Sequence, residues 1–184
     1  MREALLQLAS QGLITMRPRQ RTRVATIGLS RLVQMMEVMS SLEAQAARLA
    51  ARRMSEEKRA ELLRIVAEAD AVAAAGDGAA FNAMNWMLHL AILAGSQNAF
   101  LMEQARTLRL RLHPYRCYLV RMADRIATAH VEHGVIVHAI AEGRANAAYD
   151  AMAQHLNLDA DRLADLVAIM RDDRCEEASV AMAG

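Results

Sequence analysis

The side chains with the greatest capacity for chemistry are the histidines at 89, 113, 130, 133, 138 and 155. Neutral imidazole is a versatile ligand for zinc, nickel, copper and iron. The pair Gly143-Arg144 reads as a tight turn that folds the flanking helices into an antiparallel hairpin, where residues equidistant from the turn lie opposite each other. His133 stands 11 positions before residue 144 and His155 stands 11 after it. Ile136, Val137 and Ile140 follow His133 at helical spacings, and Ala148, Ala151 and Met152 precede His155 in the same way, so both rings are expected to face inward. The small side chains of Ala147, Ala148 and Ala151 allow the two helices to approach closely. His89 follows Asn85 by one helical turn, which puts both polar groups on one face of an otherwise apolar stretch, Leu88 to Leu93. Three converging imidazoles would hold a divalent metal and leave positions open for water or a ligand. The plainer alternative is a set of packed or surface histidines with no ligand.

Other chemistries have little support. The chain carries no glycine-rich phosphate loop, nucleophile elbow or redox cysteine pair. Cys117 and Cys175 lack metal spacing and read as free thiols of a reducing cytoplasm. Glu132 adjoins His133, and neighbours on a helix point about 100° apart, so the cluster is expected to have no general base beside it. A small metal-dependent enzyme using the three-histidine site is therefore the alternative to a binding role. Net charge is +1, which does not by itself mark a nucleic-acid binder, yet Arg17, Arg19, Arg21 and Arg23 form a dense basic cluster.

The elements that must position these groups are helices. Of the 184 residues 54% are hydrophobic but only 3% aromatic, so the apolar mass is Ala, Leu, Met, Val and Ile, a helix-rich mixture. A helix capped by Ser30 is expected to bury Leu32, Met35, Met36, Met39, Leu42, Ala46, Leu49 and Ala50. A second begins at Ser55-Glu56-Glu57 and ends at Gly76-Asp77-Gly78; a third runs to Gly95. A fourth starts near Asn98 and should kink or restart at Pro114. A fifth ends at Glu142-Gly143, and a sixth extends from about Arg144 to Met170. Before them, the apolar spacing of residues 2–11 suggests a short helix, and Leu13 to Ala25 a β-hairpin with a basic tip. No apolar run approaches the roughly 18 residues that cross a bilayer, and the start does not resemble a signal peptide. The expectation is a soluble cytoplasmic protein.

Two stretches resemble a known family. Residues 1–14 with the arginine-rich hairpin are similar to the end of a GntR-type winged helix, its last recognition-helix turns and its wing. The pattern Asn85, His89, Gly95-Ser96-Gln97-Asn98, Glu132-His133, Ala139-Ile140-Ala141-Glu142-Gly143 and Met152-Ala153-Gln154-His155, with Leu42-Glu43 and Arg48-Leu49-Ala50-Ala51, resembles the FCD-type effector domain of the FadR subfamily. The resemblance implies an all-α antiparallel bundle of six to seven helices over residues 28–172, preceded at 1–27 by a winged-helix remnant and followed by a flexible tail, 173–184. It implies a ligand-responsive, homodimeric transcription regulator, not an enzyme. It also implies a divalent metal, zinc or nickel, on His89, His133 and His155, with Asn85 where the family usually has Asp, and a small carboxylate effector beside it. Met39 occupies a place where many relatives carry an arginine, so Arg116 and Arg125 become the candidates for the effector's charge. Arg2 and Arg19 match operator-DNA contacts of the recognition helix and wing tip. The two helices that would complete a winged helix are not represented, so this chain alone is expected to bind DNA poorly or not at all.

Overall fold

The computed structural model describes residues 3–6, 14–16, 22–24, 27–119, 121–122, 124–157, 163–164 and 166–168. Six helices carry the architecture: α1 (Leu29–Arg53), α2 (Glu56–Ala75), α3 (Gly78–Gly95), α4 (Ala99–Leu119), α5 (Arg125–Ala141) and α6 (Ala145–Leu156). Ahead of them, β1 (Ile14–Thr15) pairs antiparallel with β2 (Arg23–Val24), Ile14 opposite Val24. The arginine-rich tip between these strands lies outside the described residues, as do Arg2, Arg19 and residues 169–184.

The central helix is α1, which packs against α3, α4, α5 and α6. Its inward stripe of Leu32, Met35, Met36 and Met39 joins Leu112 and Tyr115 of α4 in one apolar cluster. Further along, Ala44, Ala47 and Ala51 meet Val137 and Ile140 of α5 and Ala148 and Met152 of α6 in another. Alanine on α1 lets the backbones come close, while Val137, Ile140 and Met152 fill the seam from the facing helices.

Caps set several of the boundaries. Ser55 accepts from the Lys58 amide at 3.4 Å, with Glu56 and Glu57 in the first turn of α2, as its sequence requires. The helix stops at Gly76, whose φ of 65° is the left-handed region glycine enters without penalty. Asp77 then caps α3 by accepting from Ala79 and Ala80, both at 3.0 Å. The fifth helix ends in a Schellman arrangement: Gly143 (φ 71°) donates to Ile140, and Arg144 donates to Ala139 at 2.9 Å. This closes the α5–α6 hairpin.

Three expectations need correction. The residue that caps α1 is Gly28, with no side-chain cap; Ser30 already lies inside the helix. Pro114 does not interrupt α4, which continues to Leu119. The proline is solvent-exposed, where water can take the carbonyl left without a donor. The sixth helix ends at Leu156, far short of Met170, because Asn157 turns extended at φ −65°, ψ 127°. Asparagine readily abandons helical geometry for local alternatives. Among the described residues no helix is long and apolar enough to cross a membrane.

Candidate metal centre

The hairpin register brings the two histidines of α5 and α6 together. His133 Nε2 stands 3.2 Å from His155 Nε2. His89 of α3 completes the group, its ring centroid 5.5 Å from that of His133 and 5.3 Å from that of His155. One ligand atom from each ring lies within 4.8 Å of the others, and all three residues are buried. Phe81, one turn into α3, stacks on His133 at 5.9 Å and 13° between planes.

Each of two rings is tied to a buried or half-buried carboxylate. His89 Nδ1 meets Glu43 Oε2, while Arg109 Nη1 donates to Glu43 Oε1 at 2.5 Å. His155 Nδ1 lies 2.7 Å from Glu132 Oε2, which also accepts from Arg125 Nη1 at 2.7 Å. Burial opposes ionisation of Glu43, but Arg109 and His89 outweigh it and hold the carboxyl well below the usual range. Glu132 is likewise brought down to about 2, against partial burial, by its bonds from His155 and Arg125. An ionised carboxylate can only accept, so Nδ1 of both histidines carries the proton and Nε2 keeps its lone pair.

The rings themselves are neutral. Burial, reinforced by Arg109, lowers His89 to about 3 in spite of Glu43. His133 is pushed well below its ordinary value by burial and then by its two histidine neighbours. His155 is also lowered by burial, against the pull of Glu132. Neutral, desolvated imidazoles are what a divalent cation requires. The Nε2 of His89 is buried with no hydrogen-bond partner among the described residues, an unsatisfied acceptor that a metal would satisfy.

Asn85 is half-buried and lines a small apolar cavity of about 10 Å³ together with Phe81, Leu88, His130 and His133. A second cavity, of about 20 Å³, is lined by His155, Arg116, Arg125 and Met36. Arg116 is half-buried, and desolvation, with Arg109 nearby, brings its guanidinium down to about 10. Arg125 is committed to Glu132, whereas Arg116 makes no ion pair among the described residues. Met39 is buried in the apolar cluster of α1 and α4. A larger groove of about 380 Å³, lined by Met54, Lys58, Leu62 and Ala94, includes none of the three histidines.

Glu43 and Arg109 were not marked as site residues in the sequence, and Glu132 was set aside on its angle to His133. The structure corrects that second point: Glu132 does point away from His133, and so reaches His155 across the hairpin. A signal for the other two exists in the pattern. Glu43 falls on the buried stripe between Met39 and Ala47, and Arg109 on that of Ala105 and Leu112. A charge on a buried stripe calls for a partner.

A family model described as the FCD domain matches residues 34–158, which includes the three histidines and Asn85. The chain belongs to the FCD domain family. Solved structures share its fold. McbR/YncC of E. coli aligns with a TM-score of 0.78 at 22% identity, over 91% of this chain and 78% of that one. The GntR protein of Streptococcus agalactiae aligns at 0.59 and 22% identity, over 84% and 77%. Lar, described as controlling expression of the Listeria monocytogenes agr system, aligns at 0.66 and 15%, over 91% and 78%. At these identities the likeness is one of fold. No curated protein gives a significant match. As an FCD domain the chain is part of a ligand-responsive transcription regulator and not an enzyme. The metal-dependent enzyme falls away accordingly, and Glu132, held ionised by two partners, is a poor proton acceptor in any case.

Proposed function

We propose that this FCD domain senses a small carboxylate through a divalent metal, zinc or nickel, held by His89, His133 and His155. The observation that carries the reading is the convergence of three buried, neutral imidazoles around the unpartnered Nε2 of His89. Asn85 would serve as a neutral fourth donor through its carbonyl oxygen. Bound there, the metal supplies a Lewis-acidic anchor for carboxylate oxygens. Arg116 is the cation placed to meet the effector's remaining charge, since Arg125 already neutralises Glu132. The cavity between Arg116 and His155 is no larger than a water, so effector binding must displace side chains there, Met36 foremost.

In this reading residues 28–172 form the effector-binding bundle, and residues 1–27, with Arg2 and Arg19, belong to the DNA-reading part. Two such bundles in a homodimer would couple effector binding to the arrangement of two DNA-binding heads on operator DNA. Coupling of that kind requires the effector to bind one arrangement more tightly than the other.

Metal content of the purified protein, measured by mass spectrometry beside a His133→Ala variant, tests the centre. About one metal per chain, lost in the variant, is expected. Metal-free protein in both preparations overturns the metal reading and leaves the bundle as a purely organic pocket or a packed scaffold.

A further inference from the structure

Two chains of side chains reach the histidine cluster, and they are built alike. One runs from Arg109 of α4 through Glu43 of α1 to His89 of α3. The other runs from Arg125 through Glu132, both on α5, to His155 of α6. In each, the arginine holds the carboxylate, and the carboxylate holds Nδ1–H of the histidine. The outcome is the same on both sides: a fixed tautomer, a fixed ring plane and an Nε2 lone pair facing the cluster. The first chain joins three separate helices, so no local helical spacing produces it. Among the described residues no carboxylate bonds His133 in this way, and its ring stacks instead on Phe81.

We propose that these two Arg–Glu–His relays are the positioning devices of the metal centre, Glu43 orienting His89 and Glu132 orienting His155. A carboxylate on the far nitrogen raises the basicity of the ligating one and removes the entropy cost of orienting the ring. The inference rests on the metal reading above. Arg109 and Arg125 act behind the glutamates: each donates to its carboxylate and so holds the accepting oxygens in place for the Nδ1–H of the histidine.

The full chain, stripped with chelator, can be titrated with Zn²⁺ against a chromophoric chelator, and with Co²⁺ by its visible absorption. Glu132→Gln is the principal variant, because Glu132 is partly exposed and the change keeps its size. It is expected to bind Zn²⁺ about 10- to 100-fold more weakly and to shift the Co²⁺ band, while its helical circular dichroism is retained. Glu43→Gln is expected to do the same; should it not fold, Glu132→Gln carries the test alone. Zn²⁺ affinity of Glu132→Gln within about twofold of wild type, with His133→Ala abolishing binding, overturns the relays and spares the metal centre. Wild-type protein that takes up neither ion overturns both.

Discussion

At the scale of single residues, Asn85 bears most directly on the proposed centre. A neutral amide in place of a carboxylate weakens the electrostatic hold on a divalent cation, so Asn85→Asp is expected to tighten Zn²⁺ binding. A gain of about tenfold, ~1.4 kcal/mol, is the scale to look for in chelator competition. No gain would mean that residue 85 does not reach the metal. The histidines also set an acid limit on the metal-free protein. His89 titrates near 3 when folded against 6.5 ordinarily. Between those values the unfolded chain binds more protons, so stability is fully present above about pH 6.5 and is lost as pH falls. Glu132, lowered from 4.5 to about 2, adds to the loss in the same direction. Melting temperatures of the chelator-treated protein should therefore fall steadily from pH 7 to pH 4; a flat profile would contradict neutral buried rings.

Among the elements, the α5–α6 hairpin does the most for the site, and its geometry depends on few residues. Gly143 holds φ at 71°, so Gly143→Ala forces an alanine into the left-handed region at a cost of roughly 1–2 kcal/mol. For a chain of this size that corresponds to a fall of about 2–8 °C in Tm, measurable by calorimetry. Arg59 of α2 adds a clamp, donating to the carbonyls of Ala51 at 2.8 Å, Met54 at 3.2 Å and Ala141 at 3.0 Å. It ties the C-terminal ends of α1 and α5 to each other, where a cation also meets the negative ends of the helix dipoles. Arg59→Met should destabilise by about 1–3 kcal/mol, since carbonyls lose their donor in a half-buried place. A variant melting with the wild type would show that water replaces the clamp without loss. Within α1, by contrast, the exposed Ser30 is inside the helix and does not cap it, so its replacement by alanine should leave stability nearly unchanged.

For the molecule as a whole, the metal would act as a staple between α3, α5 and α6, the helices that carry its three ligands. A ligand that binds only the folded state stabilises it by mass action, about 2.7 kcal/mol at a hundredfold excess over Kd. Loading the stripped protein should thus raise Tm by about 5–10 °C. A carboxylate effector should raise it again only when metal is present. An effector shift of equal size in stripped protein would move the binding role from the metal to Arg116 alone.

Much of this arrangement was legible along the chain because helices are periodic and turns are local. Apolar spacing located the inward stripe of α1, and Ser55, Gly76 and Gly143 marked boundaries by chemistry confined to a few residues. Distance from one turn was enough to pair His133 with His155, since a hairpin converts sequence separation into spatial register. The reach of α6 was misjudged, because the backbone change at Asn157 competes with a helical pattern that continues on paper. The relays were beyond that reasoning altogether. Glu43, His89 and Arg109 lie on three helices, separated by 46 and 66 positions in the contacts that join them. Which buried carboxylate meets which ring depends on how whole helices cross and rotate against each other. That geometry is set by the packing of many side chains at once, and no local spacing encodes it.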